Sequence, residues 1–251
     1  MSPTERIFAS LEKLVDSYAV ERKNKISDET VLQGRNISAG SNFQLNLAKE
    51  LFSQSKDYKV LVDYPLSFGK YETKTGKLKT KSLYADIIVT KRCILKGIIE
   101  VKIDLGFLRC EDFGLSKGQI GYQYTKSENK FKANYDSFLS SKEFRYKFPV
   151  GFKKPKSRTI QIPKNNDKVA KIFLIVTKKN CHNRFESLKK AVQDSGFRFL
   201  CLLQDTHPNE QTNLCQDLDQ WSSEIKQRIR NELDERSINV AFKSLLQRNQ
   251  S

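Results

Sequence analysis

The sequence predicts an α/β protein: a mixed central β-sheet flanked by helices, with extra helices at the N- and C-termini. Three observations carry that reading. Short apolar runs of strand length (SLYADIIVT, ILKGIIEVKIDL, KIFLIVT and FRFLCLL) alternate with stretches whose apolar residues recur at helical spacing. The first of these runs follow one another over short connections, the order of an antiparallel meander. The last two flank a helical stretch, the order of a parallel crossover.

Taken in order, Glu5 to Val20 places Ile7, Leu11, Leu14, Val15 and Tyr18 near helical spacing and reads as an amphipathic helix. Lys23 to Gly40 is polar, broken by Gly34 and Gly40, and reads as a loop, so that residues 1–40 precede a core of residues 41–204. Ser41 or Asn42 caps a second helix running to about Ser53, with Phe43, Leu47 and Glu50 on one face. Lys59 to Phe68 is a strand in which Pro65 marks an edge or an end. Gly69 to Lys81, with five lysines and one glutamate, reads as an exposed hairpin tip or loop. Leu83 to Thr90 and Ile94 to Leu105 are adjacent strands joined around Lys91 and Arg92.

Gln119 to Ser141 reads as a helix from Ile120, Tyr124, Phe131, Tyr135 and Phe138. Phe148 to Lys168 is rich in Lys and Pro and reads as a basic loop or arm, an insertion at about 145–168. Lys171 to Thr177 and Phe197 to Leu203 are buried strands around a helix, Phe185 to Ser195, stopped by Gly196. Residues 205–251 form a C-terminal helical segment, with a helical and strongly charged pattern from about Leu214 to Gln247. There Leu218, Trp221, Ile225 and Ile229 make a stripe suited to a second copy or a partner protein.

The chain carries 45 lysines and arginines against 29 aspartates and glutamates, a net charge of +16. That excess favours a polyanionic partner, nucleic acid first. No apolar run approaches the roughly 20 residues of a membrane-spanning helix. The charged start MSPTERIFASLEKL does not resemble a secretory signal. Five scattered cysteines without a CxxC pair argue against a zinc site or a disulfide framework and for a reduced, cytoplasmic compartment. Gly69 to Lys77 fails the phosphate-loop pattern, with six residues between the glycines and Leu78 where Ser or Thr is required. Neither His182 nor His207 has metal or triad spacing.

Against this background Asp86, Glu100 and Lys102 stand out. They are charged groups on strands whose other residues call for burial, a costly arrangement unless they bind something. Strand alternation puts Glu100, Lys102 and Asp104 on one face and Val101, Ile103 and Leu105 on the other, with Asp86 able to face Glu100 from the preceding strand. Two neighbouring carboxylates repel and need a cation between them. Oxygen donors without histidine favour Mg²⁺ or Mn²⁺, which activates water and polarises a phosphoryl oxygen. Lys102 would set a positive charge beside the attacking water. Glu50 is placed to add a ligand, while Asp104 reads as a strand end or a supporting group. Acid-any-lysine tripeptides occur six times in the chain, but only Glu100-Val101-Lys102 lies within an apolar strand that follows another strand bearing a lone aspartate. The competing reading of these residues is a cross-strand ion network on a half-exposed sheet.

Asp86, thirteen intervening residues, then Glu100-Val101-Lys102 resembles the motif of the PD-(D/E)xK nuclease superfamily. The order helix, three strands, helix, strand over roughly Asn42 to Leu203 is similar to its restriction-endonuclease-like core. Tyr84-Ala85 precede Asp86 where the motif name has proline. The resemblance implies a Mg²⁺-dependent phosphodiesterase, with Mn²⁺ as substitute, in which Asp86, Glu100 and the Val101 carbonyl bind metal. Lys102 would serve the attacking water, Glu50 would add a ligand from the first core helix, and Gln119 or Gln123 would reach the site from the helix after the third strand. The expected function is an endodeoxyribonuclease of restriction or phage defence acting on duplex DNA, as a homodimer or with a partner protein of a defence system. DNA repair, junction resolution and RNA-directed cleavage share that core. A non-catalytic nucleic-acid-binding protein on the same fold is the alternative. Phosphate contacts are assigned to Lys74, Lys77, Lys79 and Lys81 in one basic stretch and to Lys153, Lys154, Lys156 and Arg158 in the other.

Overall fold

The computed structural model describes residues 1–27, 37–52, 57–104, 115–117, 122–124, 130–147, 157–179, 184–210 and 217–246. In chain order the elements are α1 (Pro3–Ser27), α2 (Ile37–Phe52), β1 (Tyr58–Glu72), β2 (Leu78–Lys91), β3 (Ile94–Lys102), β4 (Leu115–Lys117), β5 (Tyr122–Tyr124), α3 (Lys130–Leu139), β6 (Glu143–Lys147), β7 (Ser157–Gln161), β8 (Ala170–Thr177), α4 (Arg184–Asp194), β9 (Arg198–Leu203), α5 (Leu218–Glu232) and α6 (Glu235–Leu246).

The expected meander is present: β1 pairs antiparallel with β2, and β2 with β3. The basic stretch read as an exposed hairpin tip or loop is a hairpin tip, and strand reaches further into it than Phe68 and Leu83. β1 and β2 continue out to Glu72↔Leu78, closed by a turn in which Gly76 takes φ +73° and donates its N–H to the Thr73 carbonyl at 2.9 Å. Polar lysines and threonines hide a strand from hydropathy, although threonine suits the extended backbone. The β2–β3 connection is a two-residue turn whose central residues, Arg92 and Cys93, both have positive φ (50° and 60°). That geometry is usually marked in a sequence by glycine or asparagine, neither of which is here.

A second correction concerns residues 145–168. β6 and β7 form an antiparallel hairpin, Glu143↔Gln161 to Lys147↔Ser157, built into the sheet. Phe144, Tyr146 and Ile160 are buried at alternate positions, a two-residue period legible in EFRYK but short. β6 pairs with β1 and β7 touches β3. With the β1–β2 and β2–β3 pairings, five strands thereby close a ring around Leu66, Phe68, Leu83, Leu95, Phe144 and Ile160. β8 and β9 extend the sheet in parallel from the other edge of β3, completing a seven-stranded mixed sheet. The expected crossover β8–α4–β9 is present, and its strands are apolar on both faces because helices cover both.

Helices α1, α2, α5 and α6 cover one face of the sheet, and α3 and α4 the other. Helix α1 starts earlier than its apolar period suggests, at a capping box in which Glu5 N–H donates to Ser2 Oγ and Ser2 N–H donates to Glu5 Oε2. Helix α2 likewise begins before Ser41, at Ile37. The long helix expected at 119–141 is shorter: β4 and β5 form a small ribbon and α3 follows. The C-terminal segment is two helices, because Asp234 caps the second by accepting from Ser237 N–H (3.1 Å) and Ser237 Oγ (2.6 Å). Trp221, Ile225 and Ile229 are fully buried in the same core as α1 and the sheet, so the stripe is an internal face and not an open docking surface. Among the described residues no helix is long and apolar enough to cross a membrane.

Gly97 explains how closely α6 approaches the sheet. A Cβ at this position would lie 2.5 Å from Leu245 Cδ2 and 3.3 Å from the Ala170 carbonyl oxygen. Gly97→Val is therefore expected to destabilise the fold by about 1–3 kcal/mol through overpacking. Adding Leu245→Ala should recover part of that loss, a non-additivity that urea denaturation of the single and double variants would measure.

Candidate active site

The site forms where β2 and β3 part. Their ladder runs from Lys91↔Ile94 to Ile87↔Ile99 and stops before Asp86 and Glu100, while β3 continues on its other edge alongside β8 as far as Lys102↔Ile175. β1 is irregular at the same level: the β1–β2 pairing passes over Asp63, which is exposed with φ 48°. The pleat of β2 is also broken there, since Ala85 and Ile88 both join the core under α3 and α4 although strict alternation would separate them. The Val101 N–H is taken up by Asp86 Oδ2 at 2.7 Å. A carboxylate thus stands in for the carbonyl of a neighbouring strand, and it is fixed by doing so.

Glu100 and Lys102 point to the face covered by α3, as the alternation predicts, while Val101 packs into the opposite core. Lys102 Nζ lies 2.8 Å from Asp86 Oδ2 and 3.4 Å from Glu100 Oε2, one ammonium between two carboxylates. The second oxygen of Glu100 accepts the Tyr135 hydroxyl from α3. Tyr135 is itself wedged between Phe131 and Phe197, ring centroids 4.9 and 4.8 Å away. Glu100 is only 6% exposed. Burial first, and then the Asp86 charge, push its carboxyl up from 4.5 to about 7, against the pull of Lys102 and Tyr135. Burial would lower the Lys102 ammonium, but the Glu100 and Asp86 carboxylates outweigh it and hold it above the ordinary lysine range. Burial and the neighbouring Glu100 raise the Tyr135 phenol well above its usual value, so it remains a donor.

This arrangement suits a hard divalent cation. Its donors are carboxylate oxygens, and the burial that raises Glu100 gives that group a demand for positive charge. Among the described residues no group of three His, Cys, Asp or Glu side chains is placed to hold a metal ion, and Asp86 and Glu100 are the two carboxylates that meet here.

The remaining expected residues lie elsewhere. Glu50 Oε1 sits 2.5 Å from Lys13 Nζ, and Arg6 Nη1 donates to the Glu50 and Leu51 carbonyls at 3.2 and 2.9 Å, so Glu50 ties α2 to α1. Asp104 Oδ2 is 3.3 Å from His207 Nε2. Asn209 N–H donates to His207 Nδ1 at 3.0 Å, which places the proton of the neutral ring on Nε2, facing Asp104. Gln123 lies on β5 opposite Ser116 and not on a helix. Lys74, Lys77, Lys79 and Lys81 are exposed on the β1–β2 extension, and Arg158 is exposed on β7 across from Tyr146. Gln119, Lys153, Lys154 and Lys156 fall outside the described residues. Tyr135 is the addition. Its signal was a polar-tipped residue on the apolar face of the helix after the third strand. No protein-family model, curated protein or solved structure matches this chain.

The raised Glu100 carboxyl has a testable consequence. The folded protein holds the Glu100 proton up to about pH 7, whereas an unfolded glutamate loses it near 4.5. Unfolding therefore releases a proton between these values, and this group's contribution to stability falls as pH rises through that window, by on the order of 3 kcal/mol. Denaturation in chelator at several pH values should show a pH-dependent difference between wild type and Glu100→Gln confined to that range. A flat difference would contradict the assignment.

Proposed function

We propose that this chain is a metal-dependent endonuclease that hydrolyses phosphodiester bonds in duplex DNA on a restriction-endonuclease-like core. The observation that carries the reading is the convergence of Asp86, Glu100 and Lys102 where two strands separate. The element order α2, β1–β3, α3, β8 supports it, with the β4–β5 ribbon and the β6–β7 hairpin as additions to that core. Mg²⁺ or Mn²⁺, held by Asp86, Glu100 and the Val101 carbonyl, would supply Lewis-acid activation of water and of the scissile phosphoryl group. The protein's own groups do the rest. Asp86 is locked by the Val101 N–H, and Tyr135 fixes one oxygen of Glu100 so that the other faces Lys102. Lys102 stays charged, which suits it to orient the attacking water and offset negative charge developing on the phosphorus oxygens. The net charge of +16 supports a polyanionic substrate.

The setting most in keeping with this reading is restriction or phage defence in the cytoplasm, with two copies cutting the two strands. One observation favours the second reading, a nucleic-acid-binding protein without catalysis: Lys102 already contacts both carboxylates, as a purely structural ion network would.

Cleavage of plasmid DNA separates the two. With Mg²⁺ or Mn²⁺ the wild type should nick or linearise the plasmid, and EDTA should stop it. Lys102→Ala and Asp86→Asn should each lower the rate about 100-fold or more with circular dichroism unchanged; asparagine keeps an acceptor for the Val101 N–H. Full activity in both variants would sink the nuclease reading, and salt-sensitive binding with no cutting in any metal would favour the binding protein.

A further inference from the structure

We propose that the β1–β2 extension is a groove-entering arm that lays a one-sided row of lysines into the major groove of B-form DNA. Among the described residues β1 leaves its other neighbour, β6, at Phe68, and beyond that point pairs only with β2. From Gly69 to Ser82 every residue is exposed except the half-buried Thr73, so the segment stands off the body as a two-stranded ribbon. Isolated ribbons of this kind are marginal, yet this one has its own fastenings. A register shift accompanies Gly69 (φ +48°), Lys77 N–H donates to Thr73 Oγ1 at 3.1 Å, and Lys81 Nζ donates to Ser137 Oγ on α3 at 2.8 Å.

The pleat assigns the faces. Leu83 and Ala85 turn toward α3, so Lys81 and Lys79, each two residues further out, take that same face, and Lys77, just before β2, continues the row with its carbonyl accepting from Thr73 N–H at 2.9 Å. Tyr71 pairs across from Lys79 and shares it. The ribbon's single carboxylate, Glu72, pairs with Leu78 on the opposite face. The lysine row therefore carries no acid, and it lies on the sheet face that also bears Glu100 and Lys102 and that Tyr135 covers from α3. Lysines that merely protect a strand edge from aggregation have no need of one side. At about 3.4 Å per residue the row spans roughly 14 Å, comparable with a major groove about 12 Å wide that admits a two-stranded ribbon. The major groove of A-form RNA is too narrow and deep for this. The inference rests on the nucleic-acid half of the proposed function and not on its chemistry.

The test is binding by the full-length protein in EDTA, measured by fluorescence anisotropy over a range of salt. The probes are a DNA duplex, the same sequence as duplex RNA, and the DNA with bulky substituents on cytosine C5 that fill the major groove. The wild type should prefer the plain DNA duplex over both others. The triple variant Lys77→Gln, Lys79→Gln, Lys81→Gln should bind DNA about 10- to 100-fold more weakly, with the slope of log K against log salt reduced by about 2–3. Lys79→Gln should weaken binding severalfold, whereas Lys70→Gln, the same charge change on the other face, should stay within about twofold. Equal effects of these two single variants, undiminished binding by the triple variant, or equal binding to all three duplexes would overturn the proposal. Failure here leaves metal-dependent cleavage standing, and loss of cleavage leaves the lysine dependence of binding standing.

Discussion

The burial of Glu100 is the constraint on which the rest of the site depends. A carboxylate 6% exposed beneath an aromatic cluster cannot be left alone. Each neighbour answers that demand differently. Tyr135 supplies a hydroxyl, Lys102 supplies charge, and Asp86 adds charge of the wrong sign while anchoring Lys102. The result is a balance, with Glu100 half-titrated near neutrality and Lys102 locked as a cation. If the purpose were stability alone, apolar residues in these three positions would serve as well or better, since buried ion networks seldom repay their desolvation. That cost supports the proposal that these residues form a functional site.

The backbone makes room for this. If β2 and β3 stayed paired past Ile87↔Ile99, ladder hydrogen bonds would occupy the Val101 N–H and hold Asp86 in register. Instead β3 passes from β2 to β8, and the N–H released on one edge goes to the Asp86 side chain. The β6–β7 hairpin matters here as well. By bridging β1 to β3 it closes the ring of strands beneath α3, which keeps Phe131, Tyr135 and Phe138 pressed on the sheet while the β2–β3 seam is open.

The charged triad was legible in the sequence because its physics is local: three charges at strand spacing in apolar runs have few satisfactory explanations. The meander and the crossover were legible for the same reason, since KIFLIVT and FRFLCLL are too short for helices and too apolar for loops. What escaped is what depends on partners distant in sequence. Thr80, Lys79 and their neighbours are strand only because β1 pairs with them, and nothing in their hydropathy distinguishes that from a loop. Phe144 and Ile160 alternate with polar residues over too few positions to be read reliably. Tyr135 is visible as one apolar position among several, and only the fold shows its hydroxyl reaching Glu100. Glu50 had the converse fault: its helical face was close to the core, but Lys13 on α1 claims it.

Helix α3 gives the arm and the site a common support. Tyr135 on this helix holds Glu100, and Ser137, two residues on, accepts from Lys81 at the root of the ribbon. Both contacts lie on the same face of the sheet, so the ribbon's lysine row and the site's ammonium are referenced to one rigid element buried through Phe138 and Leu139. A polyanion laid along that row would meet the ribbon's lysines, and at the site Lys102 offsets part of the charge of Asp86 and Glu100. Positive charge at both places would lower the repulsion between a phosphate backbone and an acidic site.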